Sequence, residues 1–405
     1  MKKYIALSLV LASLLSGCAT TQENKKSCKN DKYDVAAIVW PAYHPAPRWK
    51  ELGLFEHGNG EWQYVYSAVS KFKDDNQPIV PLWGYEPEDN PIVIARRIDA
   101  ALASGINVFM YDWYWYCGRP FLENALNNGF LKAPNNERMK FFLMYANHNV
   151  NRLWDKTAGL KEKSKLIWKA DITFDEFKEN IVPRWIGYFK KSNYYKLDGK
   201  PVLAVFDMNN FISGMGSPEK AKEALLYFRN AVKNAGFNGL HLMSITWNGV
   251  PFGRIPNNNR PAPADVVKYY GFDSVSMYNW TGATEGNRTY IDLCEKTIAT
   301  YDNLLKDYGQ FYPVVSTGWD TNPRFPDNEK RPILHNKNPL DYEKALRKTK
   351  AWVDKNIPAG KQKLILINAW NEWTEGGYLE PDKVFGYGYL NATARVFGSH
   401  GQAKQ

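Results

Sequence analysis

Eight short apolar runs, each closed by polar or aromatic residues and most followed by a segment of helical period, constrain this chain more than any other feature. They are Val35 to Trp40, Ile106 to Tyr111, Phe141 to Ala146, Val202 to Phe206, Leu240 to Ile245, Ser274 to Tyr278, Tyr312 to Ser316 and Leu364 to Asn368. Continuously apolar runs, unlike alternating ones, suit strands of a parallel sheet covered on both faces. The segments between them carry helix signals. Ser217 and Pro218 precede the amphipathic stretch Glu219 to Asn234, which Gly236 ends, and Ile94 to Ala103 ends at Gly105. Asp341 to Asn356 has the same amphipathic character. Strands alternating with helices over roughly 350 residues predict an α/β chain folded as a single (β/α)8 TIM barrel with enlarged βα loops. A doubly wound open sheet is the alternative. Against it, no G-x-G-x-x-G or Walker pattern follows any run, and chemistry-bearing residues stand at nearly all the run ends instead of at one switch point.

Ahead of the first run, Met1-Lys2-Lys3 is basic, Ile5 to Leu15 is almost unbroken apolar sequence, and Leu15-Ser16-Gly17-Cys18 follows. The apolar run is too short for a permanent span, and small residues before a cysteine are what a lipoprotein signal peptidase needs. The expectation is a signal peptide over residues 1–17, lipid on Cys18, a polar tether over 18–32 and a glycosidase-like catalytic domain over 33–398, held at the bacterial cell envelope. An ordinary signal peptide cut at another small residue is the alternative. Lys and Arg exceed Asp and Glu, 52 against 42, and the formal charge of +10 is spread without charge runs, so no nucleic-acid partner is indicated. Cys28, Cys117 and Cys294 are scattered, which is no disulfide framework, and there is no CxxC or HExxH. No obligatory metal and no cofactor are expected.

In a barrel the residues just after each strand form the active face. Here they are Tyr43 and His44; Asp112-Trp113-Tyr114-Trp115-Tyr116; Asn147, His148 and Asn149; Asp207 and Asn209; Trp247 and Asn248; Asn279 and Trp280; Trp319 and Asp320; and Trp370-Asn371-Glu372-Trp373-Thr374-Glu375. Amides and acids bond sugar hydroxyls, while rings stack on the apolar face of a pyranose. The 15 Trp, 25 Tyr and 20 Phe fit such a cleft, although most of them must be core. Any one of these residues also has a bland use as turn former, helix N-cap or packing. The candidate substrate-binding set is Tyr43, His44, Asp112, Trp113, Tyr114, Asn147, Asn149, Tyr278, Trp319, Asp320 and Trp370. His44, Asp112, Asn147 and Trp319 are expected to line one pocket with the acids.

The sharpest element is Asn371-Glu372-Trp373-Thr374-Glu375-Gly376. Carboxylates three residues apart on a helical turn share a face, with Cβ atoms about 5–6 Å apart. That is close to the roughly 5–5.5 Å carboxylate separation of retaining glycosidases and short of the gap an inverting enzyme needs for its water. Two acids so close cannot both ionise freely, so one should stay protonated near neutral pH as a general acid. A surface turn whose acids only favour a helix N-terminus is the alternative.

The segments Pro41-Ala42-Tyr43-His44-Pro45, Ile106 to Tyr116, Tyr145-Ala146-Asn147-His148-Asn149, Gly318 to Arg324 and Asn368 to Pro381 resemble, in this order, the WbsX-like family. That family is similar to glycoside hydrolase family 99, the endo-α-1,2-mannosidases. The resemblance covers nearly the whole chain after the tether, and its last motif is its most specific part. It implies a (β/α)8 barrel and a retaining mechanism in which the substrate's 2-hydroxyl attacks the anomeric carbon to give a 1,2-anhydro sugar. By position in the mannosidase motif Glu-Trp-His-Glu-Gly, Glu372 would draw the proton from the 2-hydroxyl and Glu375 would serve as general acid and then base. This differs from the carboxylate-nucleophile scheme that spacing alone favours, and both need the same two residues. Thr374 replaces the motif's histidine, so mannose specificity is not inherited. Asn147-His148-Asn149 stands where WbsX-like relatives tend to have Asn-Glu-Asn, so an acid is absent.

Three functions compete. A lipid-anchored hydrolase acting on a polysaccharide or glycan outside the cytoplasm is the leading expectation. A WbsX-type glycosyltransferase is opposed by the exported start, since nucleotide-sugar donors are cytoplasmic, and by the absence of an Asp-x-Asp for a donor's metal. A surface glycan-binding protein that lost catalysis is opposed by the presence of both Glu372 and Glu375. The basic balance weakly favours an anionic polysaccharide.

Overall fold

In the computed structural model, residues 33–55, 58–73, 75–246, 253–280 and 288–398 are described. The expected signal segment, Cys18, Cys28, the tether, Trp247 and Asn248 all lie outside the described residues.

The eight apolar runs become eight parallel strands: β1 (Tyr33–Val39), β2 (Val108–Tyr116), β3 (Lys140–Tyr145), β4 (Lys200–Val205), β5 (His241–Thr246), β6 (Ser274–Met277), β7 (Phe311–Tyr312 with Val314–Ser316) and β8 (Lys363–Asn368). Each pairs with the next, from β1 with β2 to β7 with β8. Ala36 opposite Leu366 and Ala37 opposite Ile367 bring β8 back beside β1, so the ring closes. Pro313, which has no N–H to give, splits β7. Its first half pairs with β6 and its second with β8. The fold is the expected (β/α)8 barrel. Strand residues such as Val35, Met110, Leu143, Ala204 and Ile365 are at most 1% exposed, as a sheet sealed on both faces requires. Each fully buried Val, Ile or Leu contributes about 1.5–3 kcal/mol.

Around the ring lie α1 (Pro91–Ala103), α2 (Val182–Phe189), α3 (Met208–Met215), α4 (Pro218–Asn234), α5 (Pro263–Tyr270), α6 (Tyr290–Ile298), α7 (Tyr301–Tyr308), α8 (Pro339–Asn356) and α9 (Gly388–Phe397). Their starts follow capping chemistry. Asn90 accepts from the N–H of Ile92, Ser217 from Lys220 and Asn338 from Leu340 and Asp341, each just before a proline at the first turn.

Two features differ from the sequence reading. The aromatic run Asp112 to Tyr116, expected beyond the second strand, is still strand, because Trp113 pairs with Tyr145 on one side and Tyr114 with Phe121 on the other. Between β2 and β3 there is no regular helix, only a π turn at Ala125–Gly129 and 3-10 turns at Phe130–Lys132 and Asn136–Arg138.

Candidate active site

The sequence after β8 makes a tight hairpin. Asn371–Glu372 pairs antiparallel with Gly377–Tyr378, and between them Trp373–Glu375 forms one 3-10 turn. Three residues per turn bring positions 372 and 375 to the same side. Gly376 closes the turn at φ 66°, where a Cβ would lie 2.9 Å from the Asp320 nitrogen.

Arg324, on a 3-10 turn after β7, faces this hairpin. Its Nε and Nη2 donate to Glu61 at 3.1 Å each, its Nη2 also to Glu372 at 2.8 Å, and its Nη1 to Glu375. Glu61 further accepts from Trp40 Nε1 at 2.7 Å and Thr374 Oγ1 at 2.6 Å. Three carboxylates, those of Glu61 and Glu372 buried and that of Glu375 partly open, thus share one guanidinium. Burial, with repulsion from Glu375, holds the Glu372 carboxyl well above the usual carboxylate range against the pull of Arg324. Burial likewise raises Glu375, opposed by Arg324 and helped by Glu61. Burial works against the Arg324 guanidinium, but the three acids outweigh it and hold it charged.

A second link runs through Tyr278, whose hydroxyl lies 3.2 Å from Asp112 Oδ2 and 3.1 Å from Glu372 Oε2. One phenolic hydrogen satisfies only one of these contacts, so the other requires a protonated carboxyl as donor. Burial pushes the Asp112 carboxyl well up, which fits it for that role. Its Oδ1 is buried without a hydrogen-bond partner among the described residues.

Asp112, Tyr278, Arg324, Glu372 and Glu375 line a cavity of about 490 Å³ at the carboxyl ends of the strands. Of the candidate residues, Asp112, Tyr114, Asn149, Tyr278, Trp319, Glu372 and Glu375 line it. The structure does not bring Tyr43, His44, Trp113, Asn147, Asp320 or Trp370 to its wall, and each has another occupation. Trp113 points opposite to Asp112 and Tyr114, as strand alternation demands, and donates to Glu123 at 2.7 Å. Asn147 spends its amide on the Asp207 backbone, at 2.6 and 2.8 Å, tying the ends of β3 and β4 together. Asp320 accepts from Gln77 at 2.8 Å and from the backbone N–H of Asn322 at 2.9 Å. Trp370 packs on Phe109. Tyr43 packs on Trp62 behind the hairpin. His44 is wholly buried, and burial lowers its imidazole to about 4. The expected common pocket of His44, Asp112, Asn147 and Trp319 with the acids therefore holds only Asp112 and Trp319.

The cavity also includes Trp40, His148, Trp154, Phe206, Arg324 and Arg331, none of them in the candidate set. Arg324 had a signal, since it ends one of the resembling segments. Glu61, in the long β1–α1 loop, had none. Among the described residues, no group of three His, Cys, Asp or Glu side chains is placed to share a metal ion.

The model of the family described as Glycosyltransferase WbsX matches residues 35–393. WxcX from Xanthomonas campestris pv. campestris is 26% identical over 376 residues, which are 89% of this chain and 49% of that protein. The chain thus spans about half the length of the curated relatives it matches. Among solved structures, a glycoside hydrolase-like protein covers 91% of this chain and 95% of its own at 16% identity and a TM-score of 0.56. A family 99 endo-α-mannosidase from Bacteroides thetaiotaomicron, solved with bis-tris-propane, covers 89% and 95% at 14% identity and a TM-score of 0.53. These two likenesses are of fold.

Proposed function

The chain belongs to the WbsX glycosyltransferase family, and on that premise we propose that it is a glycoside hydrolase cleaving a glycosidic bond with retention, with Glu372 and Glu375 as its acid pair. The observation that carries this reading is that both carboxylates face one cavity on a single turn while one guanidinium spans them. Glu375, with 14% of its side chain exposed against 3% for Glu372, has the water access that an acid and then base requires. As Glu375 gives its proton to the leaving oxygen, the Arg324 Nη1 already beside it stabilises the new anion without rearrangement. Glu372, in its ionised form held by donors from Arg324 and Tyr278, either draws the proton from the sugar's 2-hydroxyl or attacks the anomeric carbon itself. Trp40, Trp154 and Trp319 offer rings to the sugar's apolar face.

The start of the chain supports export with lipid on Cys18, and hence a polysaccharide or glycan substrate outside the cytoplasm. The family's description favours a second reading, transfer of the glycosyl group to a sugar hydroxyl in place of water.

The test is product release from a panel of neutral and acidic polysaccharides, run beside Glu372→Gln and Glu375→Gln. The hydrolase reading expects reducing sugar from one substrate and a loss of about 10²–10⁴-fold or more with Glu375→Gln. Near-normal turnover by that variant removes the assignment. Elongated acceptors without hydrolysis favour the transferase, and a glycan that the chain binds but never cuts favours a binding protein.

A further inference from the structure

Two cations line the cavity among the described residues, Arg324 and Arg331. The first is taken up by three carboxylates. The second has a guanidinium with no hydrogen bond or ion pair among the described residues, and lies over the Phe325 ring, 5.1 Å from its centroid. A guanidinium stacked on a ring keeps its in-plane N–H edge free for a planar anion.

Its base is held fast. The Arg331 N–H donates to Asn322 Oδ1 at 2.9 Å and its carbonyl accepts from Asn322 Nδ2 at 3.0 Å. Asn322 is gripped in turn by Asp320 Oδ1, which accepts from its backbone N–H at 2.9 Å and its Nδ2 at 2.7 Å. The Asp320 N–H donates to the Glu375 carbonyl at 2.6 Å. Asp320 and Asn322 are both buried. An unbroken chain of hydrogen bonds, buried where it passes through Asp320 and Asn322, therefore references the Arg331 backbone to that of the proposed acid, as a subsite of fixed register needs. Lys163, on the same Phe325 ring at 4.7 Å, is no rival, because the carbonyls of Leu153, Asp155 and Arg324 occupy its ammonium.

Charge gives this cation a purpose. With Arg324 taken up by the acids, Arg331 is the cavity's uncommitted cation among the described residues, and it offers an anionic sugar a countercharge away from Glu372 and Glu375. We propose that Arg331 is the anion-binding residue of a glycan subsite, and that the substrate is an acidic glycan whose carboxylate or sulfate it binds bidentately. This rests on the reading of the cavity as a glycan site.

The experiment is calorimetric titration of the full chain in detergent with three probes: oligogalacturonate, the same oligosaccharide with its carboxyls reduced to neutral hexose, and a sulfated neutral oligosaccharide. Wild type, Arg331→Gln and Arg331→Lys are compared. The subsite predicts that oligogalacturonate or the sulfated probe binds more tightly than the neutral one, which tells carboxylate from sulfate. It also predicts that Arg331→Gln weakens the anionic probe by about 10- to 100-fold and removes most of its salt dependence. Arg331→Lys should restore part of the affinity, and it decides the matter if the Gln variant does not fold. Equal binding of anionic and neutral probes to wild type, or unchanged anionic binding by Arg331→Gln, overturns the subsite and leaves the glycan reading standing. Binding of none of the three overturns both.

Discussion

Glu61, Glu372 and Glu375 all hydrogen-bond one guanidinium, so the charge on any of them is felt by the other two. Glu61 does not line the cavity, but its field raises both Glu372 and Glu375, and it takes the hydroxyl of Thr374 in the hairpin between them. Glu61→Gln keeps the shape and most of these contacts while removing one negative charge. The carboxyl groups of Glu372 and Glu375 should then lose their protons at lower pH. A general acid must be protonated to act, so the basic limb of the pH profile of kcat should move to lower pH, and activity at neutral pH should fall with it. Measuring kcat against pH for wild type and variant decides it. A basic limb that stays in place, whatever the fall in rate, would mean that Glu61 holds Arg324 without tuning the acids.

Helix α1 acts on the same hairpin from behind. Arg97 pairs with Glu88 at 2.9 Å and Glu380 at 2.7 Å; Glu88 also accepts from Asn371, and Glu380 from Trp373 Nε1 at 2.9 Å. Arg97→Met leaves two buried carboxylates without their cation and should cost about 3–5 kcal/mol, read by denaturant unfolding. Burial, opposed by Arg97, raises Glu88 from 4.5 to about 7. A raised folded pKa adds stability below the unfolded pKa that is lost as pH rises through the folded one. Glu88→Gln should therefore gain on wild type between pH 4.5 and about 7 when thermal midpoints are compared. A constant difference across that range would mean that Glu88 does not titrate there. None of this network was legible in the sequence, although the strands were. A parallel strand sealed on both faces must be apolar along its length, which writes it into local composition, whereas Arg97 meets Glu380 only because the barrel closes. The site divides the same way. Glu372 and Glu375 follow the end of a strand, Asp112 follows the end of an apolar run, and all three were legible; Arg324 was legible only through a resembling segment, and Glu61, reaching the acids from a long loop, was not. Trp113 and Asn147 follow the same positional rule yet turn away, one by alternation and the other by bonding the next strand.

At the scale of the whole molecule, anchoring and closure make separate predictions. If Cys18 carries lipid, Cys18→Ser should move the protein from the membrane fraction to the soluble one, seen by fractionation, with its turnover intact. Closure depends on the last elements. Strand β8 is the seam between β1 and β7, and the two acids extend directly from it. Helix α9 then packs on α8 and α1, burying Tyr389, Leu390 and Ala392. Gly105, at φ 88°, lets the turn before β2 approach α9 so closely that a Cβ would lie 2.7 Å from the Phe397 carbonyl carbon. Burying the Tyr and Leu side chains contributes about 1.5–3 kcal/mol each, a large share of the roughly 5–15 kcal/mol that holds a domain together. A chain ending at residue 387 should therefore lose the barrel as a unit, showing no cooperative thermal transition by circular dichroism and no glycan binding. In the full chain, binding and far-ultraviolet ellipticity should fade at the same temperature, since seam and site share β8. Binding that vanishes well below the main transition would mean that the acid hairpin opens independently of the barrel.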